Sequence, residues 1–500
     1  MSNSSQQGKG TLSKSKKYVS LDKFRMSFLT PELLTRFDVP GPRYTSYPTA
    51  DRFVEAFSQS DLRQALEFRK QGVGPKNGPL SIYVHIPFCE SLCYYCACNK
   101  IITKHHDRAA PYLNYLKREV ALYTAAMGTG QSVSQLHLGG GTPTFLSDVE
   151  LGELMTMLKR SFSFTAGGEY SVEVDPRTVN EERLVFLFEL GFNRLSFGVQ
   201  DFDPEVQKAV HRIQPAAQVF ALVTAARKIG FESINIDLIY GLPKQTPESF
   251  DRTLAQVTEL RPDRIALYAY AHLPERFKPQ RRIAAAELPT APHKIDMLSR
   301  SMAALMSAGY VYVGMDHFAL PEDALAVAKR QGRLHRNFQG YSTQPDCDLL
   351  GLGVSAIGRM GGTYSQNAKT MAEYVDMLEQ GQLPIVKGLV LSRDDMIRRA
   401  WIMTIMCQGE IDFASFNDAW LIDAKKYFTS ELSQLESLQT QGLVELTDGG
   451  LQVTQTGWFF VRVWPWCLTN FCKPIATEPD FQKSFKKSFK KSTIAECRHH

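Results

Sequence analysis

The chain has 500 residues, enough for two or three domains, and its 44% hydrophobic and 22% charged content is that of an ordinary soluble globular protein. No run approaches the ~20 apolar residues of a membrane span, and the N-terminal MSNSSQQGKGTLSKSKKYVS lacks an apolar signal core; a cytoplasmic protein with no membrane span is expected. The formal charge of +5 is concentrated in Lys483, Lys486, Lys487, Lys490, Lys491 and Arg498, opposed by Glu496, so residues 1–480 are formally neutral and nucleic-acid binding, which leans on phosphate neutralisation, is not expected.

Residues 1–40 form a polar extension with a short helix expected near 30–37. A lead-in segment, 41–79, begins with GPRYTSYPTADRF (41–53), which is dense in Pro and Tyr and reads as extended chain lying on another surface. From residue 80 to 360, strand-like runs alternate with amphipathic segments of helical length. Strands are expected at 80–87, 134–139, 169–175, 193–199, 233–239 and 264–270, with a further one at 310–315. Helices are expected near 109–126, 147–161, 180–189, 216–229, 247–259 and 293–308. This alternation implies a parallel sheet, and six repeats predict an α/β fold, a partial (β/α)6 barrel. The C-terminal strand ends carry the cysteine cluster, GGGTPT (139–144), Glu173, Gln200, Asp237 and Asp316 with His317, and such barrels keep their chemistry on that rim.

The pattern changes beyond 365. Residues 392–407 read as a helix capped by Ser392 with Asp395 three residues on. Residues 443–461 read as a hairpin turning at Asp448-Gly449-Gly450. A small helical, winged-helix-like domain over 365–465 is expected, with a packing role because it lacks a clear basic face. The tail, 466–500, reads as a disordered, solvated end; contact with an anionic surface is its sharper alternative.

Nine cysteines are too few and too clustered for a disulfide scaffold. Cys89, Cys93, Cys96 and Cys98 lie within ten positions after the first strand. Structural zinc usually pairs its cysteines across a dozen or more residues. CxxxCxxC on one loop suits an iron–sulfur cubane with three protein ligands, which leaves one iron open to a small chelating molecule.

CxxxCxxC after a first barrel strand resembles the radical S-adenosylmethionine (SAM) superfamily. GPRYTSYPT, YVHIPFCESLCYYCACNK, QLHLGGGTPT, VEVDPR, NRLSFGVQDF, NIDLIYGLPKQTPESF, YAHLP, GMDHFA and HRNFQGYST resemble, collinearly over roughly 40–460, the oxygen-independent coproporphyrinogen III oxidases. The resemblance implies a 4Fe-4S cluster on Cys89, Cys93 and Cys96, with Cys98 as a fourth, non-ligating cysteine. It implies a first SAM on Tyr83, Tyr95, Gly140, Gly141, Thr142, Glu173 and Ile357, and a second on Gln200, Arg212, Asp237 and Ala271. Tyr83, His85 and Cys98 become candidate catalytic side chains. His85 shares a strand face with Tyr83 because side chains alternate; it also fits a hydrogen-bonded core histidine.

The implied substrate is coproporphyrinogen III, whose ring A and B propionates become vinyls in protoporphyrinogen IX. Arg43, on the lead-in segment that would flank the substrate, is a candidate carboxylate partner, a surface salt bridge being its plainer reading. A low-potential donor such as a flavodoxin is implied, and the protein is expected to be a monomer. A haem-binding chaperone of the same superfamily is the alternative function. One stretch departs from the family: at 461–474, VRVWPWCLTNFCKP replaces an arginine-led helix, and Pro465 would break that helix.

Overall fold

The computed structural model describes residues 47–72 and 78–461. Six parallel strands form its centre: β1 Leu80–Ile86, β2 Gln131–Gly140, β3 Phe162–Val174, β4 Arg194–Gln200, β5 Ser233–Tyr240 and β6 Arg264–Ala269. They pair in chain order, with Tyr83 opposite His137 and Glu173 opposite Ser196. In β4 and most of β5, buried residues alternate with half-buried ones, the signature of a sheet with one packed and one partly polar face, whereas β1 is buried at every position except Tyr83.

Helices return the chain between strands as the periodicity predicts: Ala109–Met127, Asp148–Ser161, Glu181–Glu189, Ala216–Ile229, Pro247–Leu260 and Ala291–Ser307. Their starts are set chemically. Ser147 accepts from the Glu150 N–H while Glu150 reaches back to the Ser147 N–H, and Thr246 does the same with Ser249.

Three features differ from expectation. The strand expected at 310–315 is an edge hairpin, Val311–Gly314 with His317–Ala319, and its second limb runs antiparallel to β6. Its turn places Met315 and Asp316 at positive φ, so Asp316 and His317 do not end a parallel strand. Asp237 is likewise not terminal: it lies inside β5, three residues before Tyr240. Third, the sheet does not stop near 360. Leu349–Leu352 pairs parallel with β1, and Ile357–Met360, Thr363–Asn367 and Ile385–Val390 extend it antiparallel. Reading a βα repeat finds parallel strands but misses a meander whose turns are short.

Of the stretch expected to be extended, 41–53, residues 47–53 are described: Tyr47 and Phe53 are buried and Ala50–Arg52 form one short turn. From Ser58 a capping box with Asp61 starts a helix, Gln59–Lys70, which buries Leu62 and Leu66 against the barrel. The helix expected near 30–37, the tail from 466 and Pro465 all lie outside the described residues. Arg393–Gln408, capped by Ser392 and Asp395, and the wing Val444–Leu446 with Gly450–Val453 form the C-terminal unit as expected. That unit packs on the barrel: Trp401 is fully buried, and the Tyr341 hydroxyl donates to the Met406 carbonyl.

Glu119 ties the first barrel helix to the meander. Its fully buried carboxylate accepts from Gly353 N–H (2.8 Å), the Asn367 amide (2.7 Å) and the Tyr374 hydroxyl (2.6 Å). Burial raises its pKa to about 7, although these three bonds pull the other way. At pH 5 the protonated acid still has an acceptor on both oxygens, whereas an amide nitrogen has none and would face a donor, so Glu119→Gln should destabilise the fold by about 1–3 kcal/mol. A carboxylate whose folded pKa is raised gives up stability as pH rises through that value. The deficit of the variant should therefore shrink between pH 5 and 8. Denaturant unfolding of both proteins across that range measures it; a constant gap would show that Glu119 does not titrate in the window.

Candidate active site

β1 ends in a loop that carries all four clustered cysteines. Phe88–Cys89 pairs with Ile101–Ile102, so the loop closes on itself beside the barrel rim. The Thr142 hydroxyl reaches the Cys89 sulfur at 3.4 Å. Cys93 is buried, and its sulfur lies 3.4 Å from Arg212 Nη1 and 3.6 Å from Arg177 Nη2. Lys100 Nζ donates to the carbonyls of Cys96 and Cys98, at 3.0 and 3.3 Å.

The thiols differ electrostatically. The contact with Cys98 lowers the Cys96 pKa to about 6 against the opposing effect of burial, while burial raises that of Cys89 to about 11. Three thiols beside two arginines and a lysine suit a donor set that binds iron as thiolate, and the residues fit an iron–sulfur group. Among the described residues no three His, Cys, Asp or Glu side chains are arranged to hold a single ion. In a cluster each thiolate binds a different iron, so such convergence is not required.

Asp175 organises the cations. Arg177 grips it with Nε and Nη2 (2.9 and 2.6 Å), and Arg212 Nη1 approaches at 3.2 Å. Burial works against the Asp175 anion, but Arg212 and then Arg177 hold its pKa below the usual range. Arg212 also donates to the Gly198 carbonyl, and Gln200 lies beside it at positive φ: a Cβ on Gly198 would come within 3.0 Å of both side chains.

A second network runs across the first three strands. Tyr83 stacks on His137 at 5.9 Å, and its hydroxyl lies 3.0 Å from His85 Nδ1. His85 Nε2 is 2.9 Å from the Asn99 carbonyl, so Nε2 carries the proton and Nδ1 accepts from Tyr83. Glu173 accepts from His137 Nε2 (3.1 Å) and from Gly140 N–H (3.2 Å). Burial opposes its charge, yet these bonds keep its pKa below the ordinary value. Gly140 has φ 111°, and a Cβ there would sit 2.7 Å from the His85 ring. This glycine is thus required by the packing of the loop over β1.

The structure brings Tyr83, His85, Gly140, Thr142 and Glu173 to the thiol loop, with Gly141 N–H donating to the Ile86 carbonyl. Ile357 lies at the level of Tyr83, since both are opposite Gly351. Tyr95 packs under the loop against Leu242, Tyr270 and their neighbours. Cys98 is exposed, and the Ala271 carbonyl is taken by Gln280. Asp237 lies deeper, in a cavity of about 180 Å³ that it shares with Glu173, His137, Gln135, Tyr268 and His317. Burial and then the charge of Glu173 push the Asp237 pKa up to about 6, so two carboxylates of one cavity titrate apart. Arg43 lies outside the described residues.

Sequence reasoning missed His137, Asp175 and Arg177 as individual residues, although QLHLGGGTPT and VEVDPR contain them. It also missed the hairpin His335–Asn337 with Gly340–Ser342, which lines the cavity through Asn337, Gln339 and Tyr341. Arg336, on the same hairpin, is 6% exposed, and its Nε and Nη1 have no hydrogen-bond partner among the described residues. It lies over the Tyr341 ring at 4.6 Å, in a recess shared with Phe338, Arg359, Tyr364 and Arg399.

Comparison with known proteins agrees with this geometry. The radical SAM superfamily model matches residues 83–257, and the HemN C-terminal domain model matches 391–460. The oxygen-independent coproporphyrinogen III oxidase of Pseudomonas aeruginosa is 50% identical over 434 residues, covering 86% of this chain and 93% of its own. That of Escherichia coli is 46% identical over 451 residues, 90% of this chain and 97% of its own. The solved structure of Escherichia coli coproporphyrinogen III oxidase (HemN), described as a radical SAM enzyme, superposes with a TM-score of 0.82 at 47% identity, covering 86% of this chain and 97% of that one. At this identity and coverage, with the thiol loop, the rim and the C-terminal unit all matched, the chain belongs to the oxygen-independent coproporphyrinogen III oxidase family of the radical SAM superfamily.

Proposed function

We propose that this protein decarboxylates the ring A and B propionates of coproporphyrinogen III to vinyl groups, giving protoporphyrinogen IX in haem biosynthesis, as a cytoplasmic monomer. The reading is carried by the convergence, on one barrel rim, of the three-thiol loop with the Tyr83–His85–Glu173–Gly140 network. It is supported by 50% identity to a named oxidase of this kind. The haem-chaperone alternative has no comparable support.

Cys89, Cys93 and Cys96 would hold the 4Fe-4S cluster. When bound, such a cluster would supply the electron for reductive cleavage of SAM. The other residues bind and orient. Glu173, held as a carboxylate, suits the amino group or ribose hydroxyls of a first SAM, with Tyr83, Tyr95, Gly140, Gly141, Thr142 and Ile357 around it. Gln200, Arg212, Asp237 and Ala271 form the candidate surface for a second SAM, consistent with two propionates each consuming one radical. His85 positions Tyr83. The barrel wall excludes water from a reaction that attacks any nearby C–H.

The substrate needs cationic partners for its carboxylates, and an arginine fork suits them. Arg43 remains a candidate from its motif. Arg336 is a second one, because a buried guanidinium lacking a described partner is costly unless a ligand supplies the anion. The two-limbed hairpin that carries it also lines the cavity.

Anaerobic reconstitution with iron and sulfide, reduction with dithionite, and addition of SAM and coproporphyrinogen III should yield protoporphyrin with about two 5′-deoxyadenosines per porphyrin, one radical per propionate. Haem binding without turnover would favour the chaperone reading instead. Glu173→Gln should retain the absorbance of the cluster near 400 nm but lose most 5′-deoxyadenosine; unchanged yield would remove Glu173 from SAM binding.

Arg336→Gln should raise KM for coproporphyrinogen III about tenfold, the loss of one charged hydrogen-bonded pair. Uncoupled SAM cleavage should stay intact and thermal stability should hold or rise, because an unpaired buried charge has been removed. A fall in stability with unchanged KM would make Arg336 a packing residue.

A further inference from the structure

The cysteine loop is joined to a strongly basic turn. After β6 the chain runs RFKPQRR, 276–282, and places Arg276, Lys278, Arg281 and Arg282 on the surface. Four cations in seven residues stand out in a body, 1–480, that is formally neutral. None of the four has an ion pair among the described residues, whereas Lys244 nearby is matched to Glu287.

The turn is fixed to the loop by Gln280, which is 1% exposed. Its Nε2 donates to the Tyr95 carbonyl (3.1 Å) and to the Ala271 carbonyl (3.2 Å), and its Oε1 accepts from Leu273 N–H (2.6 Å). Tyr95 lies between Cys93 and Cys96, so the basic turn is bonded directly to the segment that would hold the cluster. Arg282 lies over the Tyr94 ring at 5.4 Å, and Tyr94 stacks on the exposed His211 at 5.2 Å and 8°. Ile213, two residues further on, is 67% exposed, and Leu273 is exposed as well. Ala97, Cys98 and Asn99 carry the loop itself to the surface.

We infer that this face docks the electron donor: an acidic one-electron carrier protein whose redox group comes to rest over the Tyr94–Cys98 side of the loop. Apolar and aromatic groups flanked by exposed cations are what a transient, electrostatically steered partner needs. Charge of one sign raises the rate of encounter, and the apolar groups give the short-lived complex its contact. One electron passes from the reduced carrier to the cluster; the carrier is oxidised by one electron, and no proton or bond changes partner. The inference rests on the proposed cluster, but binding itself can be read without turnover.

The test uses the full chain with its cluster reconstituted and flavodoxin, an acidic flavin carrier, as the probe. Arg281→Glu/Arg282→Glu should weaken binding of oxidised flavodoxin about tenfold at about 20 mM salt, and the difference should vanish at about 500 mM, where the charges are screened. Turnover driven by reduced flavodoxin should fall by a similar factor, while turnover driven by dithionite stays at the wild-type rate. Arg276→Glu/Lys278→Glu, one turn away, guards against a folding defect in the first variant and should show the same pattern. Equal affinity in all three proteins overturns the proposal. So does an equal loss with dithionite, which would assign the arginines to the propionates of the substrate. If the wild-type protein forms no 5′-deoxyadenosine with dithionite, the proposed function fails, while the binding arm still reports on the surface.

Discussion

Burying Cys93 puts a group that would hold iron as an anion into a rim of low dielectric, and the guanidiniums of Arg177 and Arg212 offset that cost. Two neighbouring cations would repel each other without Asp175 between them, so the carboxylate is as necessary as the arginines. The three charged residues come from different places: Asp175 and Arg177 from the end of β3, Arg212 from the loop after β4. Holding them together fixes the stagger of those strands against the cysteine loop. Gly198 lacks a Cβ because Arg212 and Gln200 occupy that space.

The barrel interior repeats this logic lower down. Glu169 accepts from the amide of Gln135 and the hydroxyl of Thr343 and pairs with Arg194, and Arg264 pairs with Asp323. A parallel barrel normally fills its centre with branched apolar side chains. Here the centre is polar and partly open. The cost of these charges is met by pairing, and Asp237 rests instead on the Ser196 hydroxyl and the Asn235 amide, while Arg336 in the adjoining recess has no hydrogen-bond partner for Nε and Nη1 among the described residues.

The parallel strands and their helices were legible because each repeats one hydrophobic period and one cap, and Ser147–Glu150 and Ser392–Asp395 are plain in the sequence. The cysteine loop was legible from spacing alone. The antiparallel meander from 349 to 390 was not: its strands, LLGL and TYSQN among them, are short and buried on both faces, so they do not alternate. The depth of Asp237 was misjudged because a strand's last residue cannot be located from composition. Gln280 was invisible because an amide in a basic surface run carries no signal until its partner, a carbonyl 185 residues away, is known. His137 could have been found: it lies opposite Tyr83 by simple register.

Among the described residues the sheet is a ribbon of twelve strands that ends in Ile385–Val390, bridged at Gly388 to Val54, and in Val311–Gly314, and these two end strands do not pair with each other. The hairpin 335–342 lies on the cavity wall, and the helix Arg393–Gln408 packs behind it through Tyr341 and Met406. The circumference of the barrel is therefore not fixed by hydrogen-bond geometry, as in a closed barrel, but by the seating of a separate unit. A change in that seating would therefore widen or narrow the barrel with every strand and every cysteine left as it is.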